Sequence, residues 1–201
     1  GGPGPWVRVG GLEILGGAVT TLNLTSGAGI TDTGPITVSN GLTATGDANG
    51  AAITLDQIDV TGGTVALSTT DSNATIDNDS AIVFGASGVG ANLSATTAAG
   101  DITQAGAVTA TGTATFNSAA DITLNDGGNS FGDLTVTGAT VAITENDAIT
   151  DGGAWTTGAT TLNAGGNDID LDEALSTTGA LDLTGGTATV DRDAAVEIVG
   201  G

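Results

Sequence analysis

Short alternating runs of apolar and polar residues fill most of this chain. Val108-Thr109-Ala110-Thr111 and Ala114-Thr115-Phe116 are typical examples, and Gly, Asn, Asp or Ser follows almost every such run. A period of two is typical of a strand that buries one face, and these four small residues favour turns. The 3.6-residue period of an amphipathic helix is absent. The pattern therefore predicts an all-β chain of short strands and tight turns.

The same unit of strands and turns recurs along the chain. Segments that open with Ile-Thr begin at Ile30, Ile102 and Ile149, and each closes on an I-x-L-D/N element. Ile102 and Ile149 are 47 residues apart, and the related elements at Val136 and Leu183 have the same spacing. Self-similarity of this kind predicts a solenoid. We expect three imperfect superrepeats, at about 30–71, 102–147 and 149–193, with an insert near 72–100.

Isoleucines inside the repeats indicate the length of one coil. Ile102, Ile122 and Ile143 are separated by steps of 20 and 21 residues. Three strands of about five residues with short turns would occupy such a step. We therefore predict a three-sided parallel β-helix, or β-solenoid, with about 20–24 residues per coil. Residues 12–201 would form one elongated body without internal domain boundaries.

Composition is consistent with this fold and indicates what its core contains. Hydrophobic residues make up 39% of the 201 residues, yet aromatic residues make up only 2%, so the core must consist of aliphatic side chains and Thr. Phe116 and Phe131 are predicted to fill the core of adjacent coils, and Phe84 the core of the insert. Trp155 takes a strand position of the repeat, which favours a core or turn role over a sugar-binding one.

Charge excludes several classes of function. The chain has 23 Asp and Glu residues against two basic residues, Arg8 and Arg192, for a formal charge of −21. Binding of nucleic acids or anionic membranes requires clustered cations, so we expect no nucleic-acid partner. No apolar run is long enough to cross a bilayer, so we expect no membrane insertion.

Catalysis is also disfavoured by the residue types present. The chain has no His, Lys or Cys, so the usual Ser-His-Asp and Cys-His arrangements are impossible. Paired carboxylates could hydrolyse glycosides, and some parallel β-helices act on polysaccharides. Two Arg residues are few for binding acidic sugars. We therefore expect a protein that is not an enzyme.

Calcium is the one metal that the sequence suggests, and no other cofactor is expected. Alternation places Asp168, Asp170 and Asp172 on one face of a strand, and clustered carboxylates suit Ca²⁺. The pattern occurs once, so a solvated acidic face is the favoured alternative. Weaker candidates are Asp77, Asp79 and Asp126. Asn-x-Ser/Thr sequons stand at Asn23, Asn73, Asn78 and Asn92.

The two ends of the chain differ from the repeats and suggest assembly. Pro3 and Pro5 cannot lie in a central strand, so residues 1–11 are predicted to form an arm. The arm could be a linker, a cap on the first coil, or a strand donated to a neighbouring molecule. The last residues form a strand pattern without a polar cap. The candidate assembly residues are Trp6, Val7, Arg8, Val9, Val196 and Ile198.

The repeats resemble those of a known group of bacterial surface proteins. Residues 106–149 read GAVTATGTATFNSAADITLNDGGNSFGDLTVTGATVAITENDAI, and the resemblance extends over Leu12 to Val199. This pattern resembles filamentous-haemagglutinin-like and other β-strand-repeat surface adhesins. The resemblance implies a right-handed parallel β-helix that is displayed outside the cell for adhesion or scaffolding. It brings no catalytic motif.

Two functions from different classes remain open, and both place the protein outside the cell or on its surface. In the first, the chain is a subunit or segment of a filament, a head-to-tail homopolymer joined through its end strands and arm. In the second, it is the shaft or binding module of a large secreted adhesin that contacts cell-surface or host ligands through residues 72–100. A polysaccharide-acting enzyme is a distant third.

Overall fold

The computed structural model describes residues 11–191, and within that range every regular element is a β-strand. The prediction of an all-β solenoid is confirmed. In chain order the strands are β1 (Leu12–Ile14), β2 (Gly17–Ser26), β3 (Ile30–Asp32), β4 (Ile36–Gly46), β5 (Ile53–Val60), β6 (Thr64–Thr69), β7 (Ala74–Asn78), β8 (Ile82–Phe84), β9 (Ser87–Val89), β10 (Leu93–Thr97), β11 (Ile102–Gln104), β12 (Val108–Ser118), β13 (Ile122–Leu124), β14 (Ser130–Thr144), β15 (Ile149–Thr150), β16 (Trp155–Asn163), β17 (Ile169–Leu171), β18 (Leu175–Thr177), β19 (Leu181–Thr184) and β20 (Ala188–Val190).

The strands stack in parallel, each on the strand one coil earlier. Between paired strands the step ranges from 18 residues, from Leu12 to Ile30, to 23 residues, from Ile30 to Ile53. Steps of 19 to 21 residues dominate the later coils, as in the pairing of Ile102 with Ile122. The described residues form about nine coils. Most coils contribute three strand segments, which gives the solenoid three sides.

The core runs along the axis because alternate residues of every strand point inward. Ile82, Ile102 and Ile122 follow one another in register on one side, and all three are fully buried. Burial of such a side chain stabilises the fold by about 1.5–3 kcal/mol. Stacking of like residues thus buries a hydrophobic column that a single coil could not cover.

Aromatic residues fill the middle of the core. The ring of Phe116 packs edge-on against Phe131 at 5.4 Å and against Phe84 at 6.3 Å. Phe116 and Phe131 lie in the same coil, residues 114–131, and not in adjacent coils as expected. Trp155 is buried, and its Nε1 donates to the carbonyl oxygen of Leu134 at 3.0 Å, which confirms its core position.

The sequence repeat and the structural coil have different lengths. Ile102 lies in the strand column that contains Ile122, whereas Ile149 pairs with Ile169 in a column on another side. The 47-residue repeat therefore spans two coils and about a third of the next. The local step also differs from expectation, since Ile122 pairs with Val141 and Ile143 pairs with Leu124.

Residues 72–100, where the insert was expected, lie within the stack. They contain β7, β8, β9 and β10, and β10 pairs with β7 on one side and β12 on the other. Within residues 11–191 no helix is long and apolar enough to cross a membrane.

Candidate functional site

A discontinuity divides the stack. Among the described residues, seventeen strands form one sheet, whereas β15, β17 and β20 form a separate sheet of three. The break lies where residues 129–134 face residues 145–152, at the junction of the sixth coil (114–131) and the seventh coil (134–148), and one isolated bridge joins Leu134 to Asp151 across it. At Ser130 and Phe131, β14 bonds to side chains of the next coil and not to the main chain of a paired strand.

Two acidic side chains fill this break. The backbone N–H of Phe131 donates to Glu145 Oε2 at 2.9 Å, and Ser130 Oγ donates to Asp147 Oδ2 at 2.8 Å. The carboxyl of Glu145 is also in hydrogen-bonding reach of the Asp147 carboxyl. We call Ser130, Phe131, Glu145 and Asp147 the acidic seam. Its four residues replace strand pairing with bonds that depend on carboxyl groups.

The electrostatics of the acidic seam are unusual for a surface-charged protein. Glu145 is only 3% exposed, and this burial raises the pKa of its carboxyl from 4.5 to about 8. The N–H of Phe131 lowers that pKa, while the hydrogen bond and the charge of Asp147 raise it. Asp147 Oδ1 is buried and has no hydrogen-bond partner. At neutral pH Glu145 is therefore largely protonated and can donate to Asp147.

A second junction lies between the third coil (53–69) and the fourth (74–89), where the pairing of β5 with β7 ends at Ile58 and Asn78. Asn78 is fully buried there, and its Oδ1 accepts from the N–H of Val60 at 2.6 Å. Its Nδ2 donates to the carbonyl oxygens of Ser80 and Ala81 at 2.9 and 3.0 Å. We call Val60, Asn78, Ser80 and Ala81 the neutral seam. An amide both donates and accepts, so every bond in it is independent of pH.

Two other carboxylates bind the backbone of the following coil. Asp32 accepts from the N–H groups of Asp56 and Gln57 through its two oxygens. Asp151 accepts in the same way from the N–H groups of Asp172 and Glu173. Burial raises the pKa of both carboxyls, and the backbone bonds oppose that change. Both aspartates close an Ile-Thr-Asp tripeptide, so this motif holds successive coils together.

Exposed Asp and Asn residues at strand starts make similar bonds between coils. Asp101 accepts from the N–H of Asp121, and Asp121 accepts from the N–H of Thr140. Asn73 and Asn92 accept in the same way from the next coil. Several acids thus have a structural role in the stack.

The structure places the three predicted calcium ligands on the outside of β17 and its flanks. Asp168, Asp170 and Asp172 are all exposed, as alternation predicted. The carboxylate of Asp168 accepts from the N–H of Thr187 at 2.8 Å. Among residues 11–191, no three or more His, Cys, Asp or Glu side chains are arranged to hold a metal ion. Calcium binding stays a prediction.

The predicted assembly residues lie outside the described part of the chain. This applies to Trp6, Val7, Arg8, Val9, Val196 and Ile198. The adjoining first coil nevertheless shows exposed apolar side chains. Leu15 is 78% exposed and Val19 is 42% exposed, and within the described range β1 and β2 each pair on one side only.

Sequence reasoning missed the residues of both seams, although the alternation contained a signal. Val141 and Ile143 point inward, so the next inward position is Glu145. Ala74 and Ile76 likewise place Asn78 inside. A polar residue that continues an inward series of apolar residues indicates a buried polar group. Asn78 belongs to an Asn-x-Ser sequon, but its amide is buried and hydrogen-bonded.

Comparison with known proteins gives one match. A family model described as repeats of unknown function, DUF5649, matches the chain three times, over residues 7–70, 71–138 and 130–184. No curated protein matches the chain. No solved structure matches it either. The likeness to haemagglutinin-like adhesins stays a prediction.

Proposed function

Because the chain belongs to the DUF5649 family of repeats of unknown function, we propose its role from its geometry: it is a subunit or segment of an extracellular structural filament. Successive copies would continue the solenoid head to tail. Neither a chemical reaction nor a cofactor forms part of this proposal. Localisation outside the cell or on its surface forms part of it.

The observation that carries the proposal is the parallel stacking that continues to both ends of the described range. β1 and β2 in the first coil and β18, β19 and β20 in the last coil each stack in parallel on the neighbouring coil, and within residues 11–191 each pairs on one side only. An unpaired parallel edge is a template for another strand. A second copy would present the same three columns, and a contact of this kind that does not close produces an open filament.

Exposed apolar side chains on the first coil support the same role. Leu15 and Val19 are the large hydrophobic residues that are exposed in the described range. Leu12 and Leu22 of that coil and Leu183 of the last coil are only partly buried. Stacking of another coil would complete their burial. The charge of −21 would meanwhile keep filaments from associating sideways.

Electron microscopy of the purified chain, negatively stained, tests the proposal. We expect filaments whose length increases with protein concentration. Val19→Asp and Leu15→Asp should shorten or abolish them, because each places a charge at the joint. Ala119→Asp adds the same charge at an exposed position in the middle of the stack and should leave them intact. Dispersed short rods at all concentrations would contradict the filament.

The alternative is the shaft or binding module of a large surface adhesin. Short rods whose surface binds cells or host ligands would favour it. Residues 72–100 were the expected contact region, and they form strands of the regular stack. The filament is therefore the better supported of the two proposals.

A further inference from the structure

We propose that the acidic seam is a proton-controlled joint, closed while Glu145 carries a proton and loosened when that proton is lost. The joint is a property of the chain itself. It does not depend on the filament proposal, and its test does not require filaments.

At the break, the side chain of Glu145 lies between a backbone donor, the N–H of Phe131, and an acceptor, the Asp147 carboxylate. Glu145 accepts from the N–H of Phe131 and faces the carboxyl of Asp147. A protonated carboxyl can do both, since its carbonyl oxygen accepts and its hydroxyl donates. An ionised carboxylate can only accept, so it would oppose Asp147 as a like charge. Loss of the proton thus changes the contact between Glu145 and Asp147 from a hydrogen bond into repulsion.

No cation within the described residues could compensate for the lost proton. Both basic residues, Arg8 and Arg192, lie outside that part of the chain. The elements around Glu145 carry further acids, namely Asp126 in the preceding turn, Asp133 on β14 and Asp168 near the next coil. Their carboxylates already accept from Gly128, Thr150 and Thr187, respectively. Other contacts to this turn come from neutral groups, since Asn167 Nδ2 donates to the Asn146 carbonyl oxygen.

Main-chain pairing is sparse at this point: an isolated parallel bridge joins Leu134 to Asp151, and the N–H of Gly152 donates to the carbonyl oxygen of Leu134 at 2.8 Å. The N–H of Asn146 donates to the carbonyl oxygen of Asn129, and Thr150 Oγ1 donates to that of Gly132. On the other two sides β12 pairs with β14 and β13 pairs with β14 through ordinary ladders. We therefore expect local opening on one side of the solenoid, without separation of the coils.

The direction of the pH effect follows from the two protonation equilibria. In the opened seam Glu145 is solvated and has an ordinary pKa, whereas in the closed seam burial raises its pKa to about 8. The closed state binds the proton more tightly, so the stabilisation of the closed state over the open state is complete below the ordinary pKa of 4.5. This stabilisation declines as the pH rises from 4.5 towards 8. The opening equilibrium should increase by up to about tenfold per pH unit over that range.

Amide hydrogen exchange of the whole chain tests the joint. After correction for the intrinsic pH dependence of exchange, the opening constant for peptides spanning 130–134 and 145–151 should rise steeply between pH 5 and 8. Peptides that contain Val60 and Asn78 from the neutral seam serve as the internal control, and their opening constants should not change over that range.

Glu145→Gln is the matched variant, because its amide accepts from Phe131 and donates to Asp147 at every pH. It should remove the pH dependence at 130–134 and 145–151, and at pH 8 it should lower the opening constant by at least tenfold. A wild-type opening constant that is flat from pH 5 to 8 would overturn the proposal. Equal slopes in wild type and Glu145→Gln would overturn it too. The wild-type series decides the matter even if the variant does not fold.

Discussion

The neutral seam and the acidic seam solve one structural problem with different chemistry. In both, an inward side chain accepts from a backbone N–H at a place where the pairing of strands stops. Asn78 donates to the carbonyl oxygens of Ser80 and Ala81 and accepts from the N–H of Val60. Glu145 accepts from Phe131 but needs a proton to satisfy its neighbour Asp147, one of whose oxygens has no partner. A buried amide therefore gives a permanent joint, and a buried carboxyl gives one that responds to pH.

The largest effect is expected when the neutral seam is made acidic. Asn78→Asp replaces the amide with a group that, once ionised, cannot donate to Ser80 and Ala81. It should lower the free energy of unfolding by roughly 3 kcal/mol at pH 7, because a buried charge is left without a partner. Urea denaturation measures this loss, which should increase as the pH rises.

Asn117→Asp is the matched control for that substitution. Asn117 is exposed on β12, so the same change in charge there should alter stability by less than about 0.5 kcal/mol. Similar losses for the two variants would show that added charge, and not the bonding of Asn78, is responsible.

A smaller effect is expected when Asp147 loses its charge. Asp147→Asn can still accept from Ser130, and its amide can donate to an ionised Glu145. Loss of the negative charge of Asp147 should lower the pKa of Glu145, because Asp147 raises that pKa in the wild type. At pH 8 the free energy of unfolding should increase by about 1 kcal/mol. Asp182→Asn removes one exposed charge elsewhere and should give no comparable gain.

The smallest effect is expected at an acid that belongs to neither seam. Asp170 is exposed on β17, so Asp170→Asn should change the free energy of unfolding by less than about 0.5 kcal/mol without calcium. Thermal melts with excess calcium then test the metal prediction. A rise in the wild-type melting temperature that Asp170→Asn lacks would assign a calcium site. Equal melts would leave Asp168, Asp170 and Asp172 as a solvated face.

The fold could be predicted because its signal is local. Alternation at Val108-Thr109-Ala110 follows from the two faces of a strand, and turn residues mark each corner. The seams could not be predicted in the same way. That Glu145 points inward follows from the alternation, but its position opposite the N–H of Phe131 depends on how the sixth and seventh coils meet.

The sequence by itself determined the strands and the core positions, because alternation is a local signal. The Ile-Thr-Asp motif recurs in the sequence, but Asp32 and Asp151 bind the next coil only once the coils are stacked. The tertiary structure alone decided which side each repeat occupies. Ile102 and Ile149 start equivalent sequences on different sides, because main-chain pairing repeats after each coil whereas the sequence repeats after 47 residues. Only the stacked coils therefore brought Phe131, Glu145 and Asp147 together.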